Sequence, residues 1–299
     1  MSKDTWKGRA IQKTVRLLAC LSFSKAQLLG RIAGRLMWWL RIKSARDCLT
    51  NIEHCFPTMD REAQRQLAKT SLLHTGMTVA EWGALWTWPT DQVMALINSV
   101  EGADLLCQDG QENQQGILLL SPHLGNWEMG GLYIGQQCPV SILYQPPKIP
   151  QLETFITEAR SRTGAELLPT DKRGVVTLFQ ILRRQGVIGI LPDQEPETSG
   201  GVFAPFFGIP ANTIKLVSKL IQKTHPKVIT ICAYRLPSSA GFKLVIEAAN
   251  PAIYQDDLLT SVTALNQTIE HCVLKAPEQY QWVYKRFKRR PDGQRHFYD

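Results

Sequence analysis

The stretch Gly116-Ile117-Leu118-Leu119-Leu120-Ser121-Pro122-His123-Leu124-Gly125-Asn126-Trp127-Glu128 decides the fold. Its four consecutive apolar residues read as a buried strand, Pro122 and Gly125 mark a turn, and a new helix begins near Asn126. His123 and Glu128 stand five positions apart across that turn. On one continuous helix the two side chains would diverge by roughly 140°. With a turn between them they can meet, and a carboxylate beside an imidazole is a usable general base.

Working outward, the pattern repeats. Short apolar runs at Val140–Tyr144, Glu166–Leu168, Val187–Leu191, Val228–Tyr234 and Phe242–Ile246 read as strands. Leu152–Thr163, Gly174–Arg184 and Thr213–Lys223 fit helices between them. Alternation of β and α implies a largely parallel central sheet covered by helices on both faces. The site of such a sheet lies at the carboxyl ends of its strands, where both His123 and Asp193-Gln194 fall. Gly200, Gly201 and Pro205 suggest a flexible loop over the site. Residues 1–100 read as mostly helical. Asp60 is the expected N-cap of a helix carrying Leu67, Leu72, Met77, Trp82 and Leu85, which must end before Pro89. The expectation is one α/β domain over 1–299, with its catalytic core at about 116–250 and a helical N-terminal part.

The 299 residues carry a net charge of +8, and 44% are hydrophobic, which excludes wholesale disorder. The charge sits at the ends. Residues 1–46 hold eleven Lys or Arg against the single acid Asp4, and Lys285, Arg286, Lys288, Arg289, Arg290 and Arg295 crowd the other end. A balanced middle is unlike a continuous nucleic-acid groove, so an anionic membrane surface or acidic substrate fits better. Seven cysteines without a C-x-x-C pair argue against a disulfide framework and a zinc site, and suit a reducing, cytoplasm-facing location. No stretch approaches the roughly 20 apolar residues of a spanning helix. Between Ala26 and Lys43, however, Leu28, Leu29, Ile32, Leu36 and Leu40 fall at helical spacing, arginines lie on another face, and Trp38-Trp39 come near the end. Those are the ingredients of a helix lying in a membrane surface, so residues 1–46 are expected to be membrane-associated; packing on the protein's own core is the alternative.

The His123/Glu128 pair is poor as a metal site, since no third ligand of suitable spacing stands out. A histidine capping a strand end is a structural alternative. As a base, His123 takes a proton from a hydroxyl while Glu128 fixes its tautomer. No G-x-S-x-G elbow is present, and no cysteine has a nucleophile's setting. Direct transfer to an acceptor hydroxyl is then favoured over a covalent acyl-enzyme.

His123-x-x-x-x-Glu128 resembles the H-x4-D/E motif of the glycerolipid acyltransferase superfamily, and the string His123–Glu128 resembles its bacterial lipid A biosynthesis branch, the lauroyl/myristoyl acyltransferases. Three further blocks agree in order: Asn51–Pro57, Asp193–Pro196 with Phe206–Thr213, and Trp282–Phe287. The resemblance implies transfer of a fatty acyl group from acyl carrier protein, or acyl-CoA, to a hydroxyl of a Kdo-bearing lipid A precursor, without a cofactor or metal, at the cytoplasmic face of the bacterial inner membrane. It implies His123 as general base with Glu128 as its partner, and substrate binding by Asn126, Trp127, Arg160, Asp193 and Gln194. Asn126 has the alternative role of a helix N-cap, Trp127 that of core packing or an acyl slot, and Arg160 that of a solvated helix arginine. The E-G-T-R-type arginine of glycerol phosphate enzymes is missing near Asp193, and Tyr284 stands where many members carry histidine. A lysophospholipid or aminolipid acyltransferase of the same fold is one alternative. A non-catalytic protein binding anionic membranes or nucleic acid through its basic ends is another.

Overall fold

The structure, a computed structural model, describes residues 3–106 and 115–298. Cys107 lies outside the described residues. The chain opens with five helices: α1 (Lys3–Ala19), α2 (Phe23–Trp39), α3 (Lys43–Cys55), α4 (Arg61–Thr87) and α5 (Thr90–Met94). Strand β1 (Ile97–Glu101) follows, and then the alternating core: β2 (Ile117–Leu120), α6 (Trp127–Gln137), β3 (Val140–Tyr144), α7 (Glu153–Ser161), β4 (Glu166–Pro169), α8 (Lys172–Arg183) and β5 (Val187–Ile190). A hairpin of β6 (Gly201–Phe206) and β7 (Ile209–Ile214) precedes α9 (Leu216–Thr224), β8 (Lys227–Arg235), β9 (Phe242–Ala248) and α10 (Leu258–Lys275).

Seven strands form one sheet in the order β1-β9-β8-β2-β5-β3-β4. β8, β2, β5, β3 and β4 are mutually parallel; β9 runs against β8, and β1 follows β9. The result is the mixed, mostly parallel α/β sheet that the alternation implied. β2 and β5 are buried along their whole length, which is why they read as unbroken apolar runs rather than alternating ones. Two differences stand out. Gly201 to Ile214 is an antiparallel hairpin, not a loop, closed by Phe207 and Gly208 at φ of 50° and 75°. Positive φ at both turn residues is the two-residue geometry that matches strand twist. Thr213 therefore lies within β7, which ends at Ile214, and α9 starts only at Leu216.

Asp60 does cap α4, accepting from the Ala63 N–H at 2.9 Å, and α4 stops at Thr87 before Pro89. This long helix is the axis of the N-terminal part and packs α2 tightly along one side. A Cβ on Gly76 would lie 2.1 Å from the Gly30 carbonyl oxygen, so the two backbones touch where no side chain fits. Beyond Phe23 at its start, which packs on Phe242, the face that α2 buries is small and polar, made of Ala26, Gln27, Gly30 and Gly34. The large apolar residues further along point the other way. Leu28, Leu29, Ile32, Leu36 and Leu40 are all exposed, and Trp39 is 77% exposed. Trp38 instead lies half-buried beneath the Arg65 and Lys69 cations. Core packing of the apolar stripe, the alternative for this helix, is thus not what the fold uses. No helix among the described residues is long and apolar enough to cross a membrane.

Candidate active site

The adjacency of β2 and β5 builds the site. Leu120 pairs with Ile190 in parallel register, and the chain leaves both strand ends in the same direction. His123 and Asp193, each three residues beyond its strand, come side by side. Both oxygens of Asp193 are used: Oδ2 accepts the His123 backbone N–H at 2.9 Å and Oδ1 meets His123 Nδ1 at 2.8 Å. Burial opposes charge on Asp193, but the His123 charge and hydrogen bonds outweigh it and hold its carboxyl below the usual carboxylate range. An ionised Asp193 can only accept, so Nδ1 carries a proton, and in the neutral imidazole Nε2 then presents its lone pair. Gln194 Nε2 lies 3.1 Å from that nitrogen and 3.5 Å from Gln281 Oε1. Among the described side chains, no carboxylate besides Asp193 bonds the imidazole.

Glu128 sits elsewhere, and this corrects the pairing drawn from spacing alone. It occupies the first turn of α6 and is buried. Arg160 of α7 grips both its oxygens, Nε at 2.9 Å to Oε2 and Nη2 to Oε1, and Trp86 Nε1 donates to Oε2 at 3.3 Å. A planar guanidinium matches a carboxylate in this forked way and leaves it little freedom to bond elsewhere. Burial opposes charge on both partners, yet the pair prevails: the Glu128 carboxyl falls below its ordinary value and the Arg160 guanidinium rises above its own. Glu128 still feels the charge of a protonated His123. Arg160, far from a solvated helix arginine, also lies over the Tyr144 ring at 5.3 Å, with 30% of its side chain exposed.

The other sequence candidates divide. Trp127 packs edge-on against the His123 ring, centroids 4.8 Å apart, and with Trp82 and Gln281 lines a cleft of about 50 Å³ between α4 and the chain at Gln279–Gln281. Asn126 is the residue before α6, but its side chain makes no cap bond. Its Nδ2 donates to Glu81 of α4 at 2.8 Å instead. Tyr284 clamps the Asp193 loop, its hydroxyl accepting the Glu195 N–H at 2.8 Å, while the Arg289 backbone N–H donates to Glu195 Oε1 at 2.9 Å. A larger hollow of about 520 Å³, lined by Thr230, Glu247, Asn250, His271 and Cys272, contains none of these residues.

Sequence reading missed the His123–Asp193 bond, the fork of Arg160 on Glu128, and Glu81. Two strand-end polar residues in adjacent runs were a usable sign of the first. A lone acid inside the apolar stretch Met77–Trp86 was the sign of the last.

The family profile for the bacterial lipid A biosynthesis acyltransferases matches residues 5–289. The chain belongs to that family. It is 28% identical over 290 residues to the lipid A biosynthesis lauroyltransferase of Escherichia coli K12, covering 97% of this chain and 92% of the relative. The lipid A biosynthesis palmitoleoyltransferase of the same organism is 28% identical over 253 residues, covering 83% and 80%. Its lipid A biosynthesis myristoyltransferase is 25% identical over 276 residues, covering 89% and 80%. As a member of the lipid A biosynthesis acyltransferase family, the chain is an acyltransferase, and His123, Asp193, Glu128 and Arg160 together form its candidate active site.

Proposed function

We propose that the protein moves a fatty acyl group from a thioester, carried by acyl carrier protein or CoA, to a hydroxyl of a Kdo-bearing lipid A precursor, with His123 as general base. The observation that carries this reading is the 2.8 Å bond from His123 Nδ1 to Asp193, which leaves Nε2 as the proton acceptor. The acceptor hydroxyl displaces the Gln194 amide from Nε2 and gives up its proton there. Its oxygen attacks the thioester carbonyl carbon, and the carbonyl electrons move onto oxygen. When that intermediate collapses, the C–S bond breaks and the leaving thiolate takes the proton from the imidazolium. The thioester is already electrophilic while the hydroxyl has a very high pKa, so a positioned base is the natural aid, worth roughly 10² to 10⁴ in rate.

Asp193 orients the imidazole and stabilises its cation. Glu128 holds Arg160 at the mouth of the site, where its exposed edge can bind anionic oxygen, and N–H groups at the start of α6 can take the developing oxyanion. Trp127 and the adjoining cleft suit an alkyl chain. The outward apolar face of α2 and the basic chain ends suit the cytoplasmic face of the bacterial inner membrane, and an acidic donor protein as well.

The test is acyl transfer by purified variants, together with mass spectrometry of lipid A from a strain lacking the gene. His123→Ala and Asp193→Asn should each lower turnover by roughly 10² to 10⁴ while folding is retained. The deletion strain should lose one or two secondary acyl chains. Full activity of His123→Ala would sink the mechanism, and unchanged lipid A with altered phospholipids would redirect the substrate to a lysophospholipid.

A further inference from the structure

One buried charged pair has no part in the chemistry above. Glu81 of α4 is fully buried and Arg235, the last residue of β8, is 5% exposed. The guanidinium forks onto the carboxylate, Nε to Oε1 at 2.6 Å and Nη2 to Oε2 at 2.7 Å. Glu81 also accepts from Gln27 of α2 at 2.6 Å and from Asn126 at 2.8 Å, and Arg235 Nη1 meets His74 Nδ1 at 2.9 Å. Stability alone is a weak account of such a pair. Replacing a buried ion pair by apolar groups of similar volume is often neutral or favourable.

What the pair holds is the turn after His123. The Gly125 carbonyl lies 3.4 Å from Arg235 Nη2 and 3.1 Å from the Thr78 hydroxyl. The Gly125 N–H donates to the Gln279 carbonyl at 3.0 Å, and Gln279's amide brackets the Arg235 backbone, accepting at 2.7 Å and donating at 3.0 Å. The Asn126 N–H donates to the Ala233 carbonyl at 3.0 Å. Gly125 itself has φ of +60°, and a Cβ there would lie 2.0 Å from the Ala233 oxygen. Asn126 thus gives up its capping bond and turns its amide to Glu81. Three residues before Asn126, His123 must meet Asp193 with both its backbone and its ring.

We propose that Glu81 and Arg235 are positioning residues for the base: the ion pair, through Asn126 and the Gly125 carbonyl, fixes the His123–Asn126 turn so that the imidazole stays aligned on Asp193. The inference rests on His123 being the base. Its effect falls on turnover, because a misplacement of about 1 Å can lower the rate by about 10² without touching substrate binding.

The experiment uses the full-length double variant Glu81→Gln/Arg235→Met, which removes both charges but keeps an acceptor for Asn126 or Gln27. The expected result is a folded protein with kcat down about 10- to 100-fold, KM for the thioester little changed, and a shifted or broadened NMR resonance for the His123 Nδ1 proton. Asn126→Ala, which cuts the link but spares the ion pair, should show the same split and reads the answer if the double variant does not fold. Parental kcat in either folded variant, with the His123 resonance unmoved, overturns the proposal. If His123→Ala is inactive while these variants are not, only the positioning role fails. If His123→Ala is itself active, the general-base reading fails first.

Discussion

At the scale of single residues, environment assigns the roles. Which of the two carboxylates, Asp193 or Glu128, serves the imidazole is decided by the positions of their partners. Arg160 occupies Glu128, and Asp193 is left for His123. A nearby histidine shows the opposite response to burial. His74, facing Arg235 and Arg31, is pushed by burial and by those cations from 6.5 down to about 3. It stays neutral in the folded protein, whereas the unfolded chain protonates it below 6.5. The unfolded state therefore binds more protons through that interval, so stability rises with pH there and is lost as pH falls. Between about pH 6.5 and 4.5 this single group should lower stability by on the order of 2 kcal/mol. His74→Asn keeps an acceptor for Arg235 and removes the proton site. Urea unfolding at the two pH values should show a clearly smaller drop for the variant; an equal drop would assign the pH dependence to other groups.

At the scale of elements, close backbone approach governs the N-terminal part. Gly76→Ala would ordinarily favour a helix by reducing the freedom of the unfolded chain. Here the added methyl would meet the Gly30 carbonyl oxygen at 2.1 Å, so α2 must move off α4. The expected outcome is destabilisation by about 1–3 kcal/mol, typical of overpacking, read by urea unfolding followed through tryptophan fluorescence. Unchanged stability would mean that the contact relaxes freely. The same local physics separates the elements that were legible in sequence from those that were not. β2, β3, β5 and β8 are apolar runs bounded by turn residues, and each stands within a residue or two of its expected place. β1, with sequence Ile-Asn-Ser-Val-Glu, is a half-exposed edge strand without alternation or an apolar run to betray it. β6 carries Pro205 and a glycine start, and its pairing with β7 depends on Phe207 taking a positive φ that nothing local demands. That conformation holds because the Phe207 ring packs on Phe56 and Trp282, and its N–H reaches Glu270 at 2.7 Å. For the site, the turn and the strand ends were readable from residues 117–128. The choice of Asp193 over Glu128 was not, because it depends on β5 lying beside β2 across seventy residues of chain.

At the scale of the molecule, two kinds of surface meet at the N-terminal end. The first three helices carry most of that end's basic excess, and α2 turns its apolar stripe outward while burying glycine and alanine. Trp6 and Leu17 of α1 are 67% and 70% exposed, so apolar groups from two helices face away from the core. Exposed apolar groups on helices that also carry many cations fit an anionic bilayer surface, with apolar side chains entering the headgroup boundary and lysines and arginines meeting phosphates. The packing makes the idea easy to isolate. Leu29, Ile32 and Leu36 are exposed, and α2 docks on α4 through other residues, so Leu29→Ser/Ile32→Ser/Leu36→Ser should leave the fold intact. Each side chain has about half its surface left to bury, worth about 1 kcal/mol by area. Three of them should weaken binding by about 100-fold in cosedimentation with vesicles of phosphatidylglycerol and phosphatidylcholine. Raising the salt should weaken the parent protein further through its charges, since the electrostatic share is screened and the apolar share is not. Equal binding by the triple variant and the parent, at low salt and high, would remove α2 from the membrane contact and leave its outward stripe to some other partner.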